Sequence, residues 1–289
     1  MPMLARGAGL AAFTVLAACS GSEAPRADQP PADAPANPAA APAANVVTVT
    51  ARDYAFDAPR QIPAGLTTFR FVGRTNEPHH GILVRLDEGK TFDDFAAALK
   101  QPGPPPAWAH LEGGMMIGDP EKGSNVTMTL TPGLHALICF VPSPDGVPHF
   151  AKGMVVPIEV TGPAAEAAEP EADIVLRLVD YDFQFSKPLT PGEHVIRVET
   201  APGQPHELVL LRLADGTTAE QAAAWEMEGR KGEQPFRFVG GVAPMDGGRH
   251  AYIKANFEPG NYALICFIPD AKDGKPHIAH GMLKEIKVG

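Results

Sequence analysis

Two sets of four side chains carry the chemistry in this sequence. His79, Cys139, His149 and Met154 recur as His206, Cys266, His277 and Met282. In both sets 60 residues separate the first histidine from the cysteine and 5 separate the second histidine from the methionine; the cysteine-to-histidine interval is 10 in one and 11 in the other. A lone cysteine is usually a small buried hydrophobe, but two unrelated packing cysteines would not share such intervals with two histidines and a methionine. Two imidazoles, a thiolate and a more distant thioether suit a copper ion that exchanges one electron, since soft sulfur favours Cu(I) and nitrogen serves both oxidation states.

The elements that must position these groups are themselves duplicated. Asp53-Tyr54-Ala55-Phe56 returns as Asp180-Tyr181-Asp182-Phe183, and Pro132 to Phe140 returns as Pro259 to Phe267, both at an offset of 127 that becomes 128 beyond the cysteines. Apolar residues alternate as half-buried strands require: Val47, Val49 and Ala51, then Phe69 and Phe71, then Ile174, Leu176 and Leu178. Gly81–Leu86 and Glu207–Leu213 are continuously apolar enough for central strands. Thr91-Phe92-Asp93-Asp94 and Thr218-Ala219-Glu220-Gln221 predict one capped helix in each copy. The 29 glycines and 31 prolines, about 21% of 289 residues, suit short strands and tight turns.

These residues resemble the cupredoxin family, in which the first histidine follows a proline and the cysteine, second histidine and methionine surround the loop before the last strand. The resemblance covers residues 46–161 and 174–289 and implies an all-β chain of two tandem cupredoxin-like Greek-key β-sandwiches, each with one short helical insertion. It also implies up to two type 1 copper ions cycling between Cu(II) and Cu(I), with Met154 and Met282 as weak axial ligands. Two departures stand out. Nine and ten residues lie between cysteine and histidine, more than in many family members, and the asparagine that commonly follows the first histidine is replaced by His80 and Glu207. His80 adjoins His79 and could serve as the ligand instead.

Outside the repeats, residues 1–18 carry Arg6 and an apolar run from Ala8 to Ala18 too short to span a bilayer, the pattern of a signal peptide. Leu16-Ala17-Ala18-Cys19 resembles the lipobox of bacterial lipoproteins, which implies lipidation at Cys19 and attachment to the cell envelope facing the periplasm, with the outer membrane favoured by Ser20. The rest of residues 19–45 reads as a disordered tether, with 10 alanines and 6 prolines among residues 20–45. Residues 162–173 have linker composition.

A formal charge of −10 disfavours nucleic acid as a partner and suits steering toward a basic redox protein, such as a cytochrome or a membrane oxidoreductase. Three cysteines are too few for a disulfide scaffold. Ile138 and Ile265 precede the cysteines, where a neighbouring catalytic copper would usually call for histidine, and neither a Gly-x-Ser-x-Gly elbow nor a phosphate loop occurs. The expectation is an electron carrier rather than an enzyme. Copper capture and delivery, or a structural module without a redox role, are the alternatives. Among the six other histidines, His135, His250 and His280 face Tyr262, Gly123 and Lys152 across the repeat, which points to ordinary surface or core positions. Met115, Met116 and Met245 do not align between copies and read as gap fillers.

Overall fold

The computed structural model describes residues 43–73, 77–101, 103, 105–116, 123–165 and 167–289. The signal segment, Cys19 and the tether up to residue 42 lie outside the described residues.

Alternation places Val47, Val49 and Ala51 on the buried face of β1 (Asn45–Arg52), which turns through β2 (Ala55–Asp57) into the long β3 (Gln61–Gly73). β4 (His80–Leu86) leads to helix α1 (Phe92–Ala98), where Thr91 and Asp94 form the reciprocal capping box expected from sequence. Then come β5 (Ala109–Met116), β6 (Ser124–Leu130), β7 (Gly133–Ile138) and β8 (Val155–Ala165). The second copy repeats this order as β9 (Ile174–Val179), β10 (Asp182–Phe185), β11 (Gly192–Thr200) and β12 (His206–Leu213), followed by helix α2 (Ala219–Met227). β13 (Phe236–Met245), β14 (His250–Phe257), β15 (Gly260–Ile265) and β16 (Leu283–Val288) complete it. Thr218 and Gln221 cap α2 in the same way.

The copies fuse into two layers that run through both. One has the order β2-β1-β3-β6-β14-β11-β9-β10, with β1 parallel to β3 and β9 parallel to β11. The other is the antiparallel series β8-β7-β4-β5-β13-β12-β15-β16, and β8 also pairs in parallel with β3, which joins the two layers into one sheet. One apolar core fills the space between them, from Phe69 and Leu137 in the first copy to Leu210 and Leu264 in the second. A second cluster lies on the outer face of the antiparallel layer, where Phe95 of α1 and Ala222 of α2 cover it. The all-β, sandwich-like architecture with one helix per copy is thus observed, and the described residues form a single compact unit around one shared core.

At the seam β5 crosses β13 at Met115 and Val242, and β6 crosses β14 at Val126 and Ile253. Each is a residue paired with its own counterpart at offset 127, so the copies meet about a local pseudo-dyad, as in an isologous dimer. Met115, Met128 and Met245 are buried there, filling the seam as unbranched side chains do.

Residues 162–173 are more tightly held than their composition suggests. β8 continues to Ala165, whose backbone pairs with Gly65 of β3. Glu169 accepts hydrogen bonds from Tyr252 Oη at 2.6 Å and Arg197 Nη1 at 3.1 Å and lies 2.7 Å from His250 Nε2.

Glu112 occupies a bulge in β5 opposite the Leu83/Val84 register shift, and its side chain is fully buried. It meets His135 Nε2 at 3.0 Å and Arg85 Nε at 3.4 Å from its own copy, and Arg249 Nη1 at 3.3 Å from the other. Burial raises its pKa, but the His135 hydrogen bond and the charges of Arg249, His135 and Arg85 outweigh that, leaving it below 4.5. Because the folded pKa is depressed, this stabilisation is present above the ordinary carboxylate value and is lost as pH falls through the folded one. Glu112→Gln is expected to cost about 1–3 kcal/mol near neutral pH. Urea denaturation from pH 7 down to pH 3 should show the variant and the parent converging, and a gap independent of pH would exclude this role.

Candidate metal centres

Each cysteine directly follows a strand, β7 or β15, and each methionine directly precedes the last strand of its copy, β8 or β16, with backbone hydrogen bonds holding the turn between them. Cys139 N donates to Met154 O at 3.1 Å, Phe150 N to Cys139 O at 2.9 Å and Met154 N to His149 O at 3.0 Å. Cys266, Ile278, Met282 and His277 repeat these bonds at 3.2, 3.0 and 3.0 Å. A single 3-10 turn, His149–Lys152 or His277–His280, spans the interval and closes on Gly153 (φ 112°) or Gly281 (φ 96°). A left-handed C-terminal residue reverses the chain most cheaply when it is glycine. That turn accounts for the constant spacing of five. The extra residue of the second loop falls beyond the Pro142–Pro148 and Pro269–Pro276 bridges, so it lengthens the tip without moving the ligands.

His79 precedes β4 and His206 begins β12. In the first copy His149 Nδ1 lies 3.0 Å from His79 Nδ1 and 3.5 Å from Cys139 Sγ. In the second, His277 Nδ1 lies 3.1 Å from His206 Nδ1 and 3.4 Å from Cys266 Sγ. The three donor atoms of each group fall within 4.8 Å of one another, and all six residues are at most 2% exposed. Met154 and Met282 are fully buried in the core beside them.

Burial, followed by the neighbouring histidine, lowers His79 and His277 to about 4, and burial pushes the Cys139 thiol up to about 12 and the Cys266 thiol higher still. The imidazoles are therefore neutral and ready to donate lone pairs. A buried thiol of this kind becomes a thiolate when a cation between the three atoms replaces its proton. The donor set fits copper on that ground.

Two far ring nitrogens meet carboxylates: His149 Nε2 lies 2.9 Å from Glu77 and His206 Nε2 3.1 Å from Asp180, whereas His277 Nε2 lies 3.8 Å from Asp270, too far for a hydrogen bond. A proton held on Nε2 leaves the Nδ1 lone pair facing the cysteine, the tautomer a metal-bound histidine needs. Tyr54 and Tyr181, both left-handed at φ 55° and 65°, place their rings edge-on to His149 and His277 at 5.2 and 5.6 Å. Their hydroxyls donate to Glu77 at 3.0 Å and to Asp270 at 2.5 Å. The repeated Asp-Tyr-x-Phe motif had marked these tyrosines in the sequence without revealing a role. Asp180 belongs to the same motif, but Glu77 and Asp270 had no such signal, because they come from different places in the two copies.

His80 does not join the donor group. Its Nε2 accepts a hydrogen bond from Phe140 N at 2.7 Å, and burial lowers its pKa to about 3. Glu207 accepts from Phe267 N at 2.8 Å in the equivalent place, with burial raising it to about 7. Two different side chains thus fasten the residue after each cysteine to the residue after each first histidine. Of the other histidines, His110, His135, His194, His250 and His280 lie 2.6–3.1 Å from Asp87, Glu112, Asp173, Glu169 and Asp273. Asp270, Asp273 and His280 also cluster, but Asp270 is engaged by the backbone of Lys272 and Asp273 and by Gln204 and Tyr181, as a turn-forming aspartate is.

No family model matches the chain, and no curated protein does. Among solved structures it is similar to auracyanin B at 19% identity, over 42% of this chain and 93% of that one, with a TM-score of 0.28. Dithionite-reduced auracyanin from Roseiflexus castenholzii aligns at 22% identity over 42% of this chain and 100% of that one, with a TM-score of 0.25. The copper nitrite reductase of Nitrosomonas europaea aligns at 15% identity over 86% and 94%, with a TM-score of 0.24.

Proposed function

We propose that this chain is an exported, lipid-anchored electron-transfer protein of cupredoxin type with one type 1 copper site in each copy. The observation that carries the reading is the convergence, twice, of two buried imidazole Nδ1 atoms and one buried cysteine Sγ. Bound there, copper supplies a one-electron Cu(II)/Cu(I) couple. His79, Cys139 and His149, and likewise His206, Cys266 and His277, would hold it, with Met154 and Met282 as weaker thioether donors. Glu77 and Asp180 orient the rings of His149 and His206, while the tyrosines and the apolar core keep water away. Full burial of the ligands favours a resident ion over copper in transit.

Anchorage through Cys19 at the cell envelope and an acidic surface steering a basic cytochrome or membrane oxidoreductase complete the proposal. Among the described residues no helix is long and apolar enough to cross a membrane. The test loads the protein with Cu(II) and cycles it with ascorbate and ferricyanide in the presence of a Cu(I) chelator. An intense thiolate-to-copper band that bleaches and returns without loss of copper is expected. Copper lost to the chelator at the first reduction would instead identify a delivery protein.

A further inference from the structure

The copper sites are built alike, yet the second copy contributes a residue to the first site that has no reciprocal. Two residues beyond the C-cap of α2, Arg230 adopts a left-handed conformation at φ 57°, unusual for a branched or long side chain, with its N–H bonded to Trp225 O at 2.9 Å. This turn carries the guanidinium across the seam, where Nη1 donates to Pro142 O at 3.1 Å. Pro142 lies between Cys139 and His149 and is bridged to Pro148. Arg230 Nε donates to Glu226 at 2.8 Å, and the two side chains are 22% and 11% exposed, so the pair is largely withdrawn from solvent.

The position equivalent to Arg230 in the first copy is Gly103, which has no side chain to send toward the 266–277 loop. Among the described residues no arginine or lysine donates to Pro269 O. The carboxylates are uneven too: Glu77 faces His149 in the first site, whereas Asp180 and Asp270 both face ligand histidines in the second. Through that bond Arg230 sets a cation on the segment that joins Cys139 to His149. Lys152 adds a second cation near His149, paired with Asp145 at 2.8 Å.

We propose that Arg230 is a positioning residue of the first site: it pins the Cys139–His149 loop from across the seam and biases copper there toward Cu(I). The chain then carries two coppers of unequal potential, and an electron shared between them rests on the first. This rests on the copper reading above. A fixed positive charge stabilises the reduced form because Cu(I) with its thiolate carries one positive charge fewer than Cu(II).

The sites are resolved by measuring the first in Cys266→Ser and the second in Cys139→Ser, each loaded with Cu(II) and titrated against its visible band. The first site is expected at the higher midpoint. Arg230→Gln should lower it by a shift on the order of tenfold in the oxidised-to-reduced ratio, about 59 mV for one electron. Arg230→Lys should keep most of the midpoint, and Glu226→Gln, which removes the counter-charge, should raise it. The second site should not respond to any of them. Equal midpoints, or a first-site midpoint indifferent to both Arg230→Gln and Glu226→Gln, would overturn the inference while leaving the copper reading intact. Absence of a thiolate band in both single-cysteine proteins would overturn the copper reading and the inference with it.

Discussion

Cys139→Ser and Cys266→Ser are each expected to remove about half of the visible absorbance of the copper-loaded protein, and the double variant to be colourless. The colour of such a site is a transfer of charge from thiolate to Cu(II), so it follows the sulfur, whereas the histidines alone give only weak ligand-field bands. The Nδ1 atoms of His79 and His149 lie 3.0 Å apart, and those of His206 and His277 3.1 Å, and neither pair involves the substituted sulfur. Copper can therefore still bind, with the ordinary tetragonal resonance spectrum of nitrogen and oxygen ligation. Serine is close to isosteric, but placing its hydroxyl in a fully buried position costs about 1–3 kcal/mol, so each variant should still fold. Visible absorption and electron paramagnetic resonance of the three variants decide the matter. Undiminished colour in either single variant would remove that cysteine from the site.

Gly241→Ala is expected to be the most damaging single substitution at the seam. Gly241 lies in β13 at φ 136°, where L side chains are rarely found, and a Cβ there would land on Leu208 O of β12. Its counterpart Gly114, at φ 140°, would drive a Cβ into Gly81 O of β4. In both places the obstacle is backbone, which cannot rotate away, and it lies two residues after the first histidine of the site. Strain of this kind adds to steric overlap, for a loss of about 3–5 kcal/mol. Gly73→Ala provides the comparison, since a Cβ there meets nothing within 4 Å and φ is not positive; it should change stability by about 0.5 kcal/mol or less. Chemical denaturation of the apo proteins measures both, and equal stability of Gly241→Ala and Gly73→Ala would contradict the close approach. Copper-loaded Gly241→Ala should also lose colour at the second site first, because β12 carries His206.

What was legible in the sequence was what short-range rules control. The capping boxes at Thr91 and Thr218 close over three residues. The five-residue step from His149 to Met154 is one 3-10 turn ending at a left-handed glycine. Alternation assigned the buried faces of β1 and β9, because a strand's side chains have a period of two whatever the strand pairs with. Duplication added a second reading of every ligand, and that separated His79 and His206 from five of the other histidines, while His80 was excluded only by its hydrogen bond to Phe140 N in the structure.

The remainder was decided by contacts between residues distant in the chain. Residues 162–165 have linker composition yet form strand, since β3 offers parallel hydrogen-bonding groups that no local propensity records. His80 and Glu207 look like departures from a family pattern, but the fold gives both the same task of accepting an N–H from the residue after the cysteine. The carboxylates behind the ligand histidines come from unrelated positions because a ring nitrogen selects for a nearby oxygen, not for a place in the sequence. Residue types and intervals by themselves determined that this chain is a duplicated β protein with two His-Cys-His-Met sets. Only the tertiary structure decided that the copies share one core about a pseudo-dyad, and that Arg230 reaches across it to the Cys139–His149 loop while its counterpart Gly103 has no side chain to return. Intervals along a chain are conserved by copying, but charge around a site depends on which surfaces happen to meet.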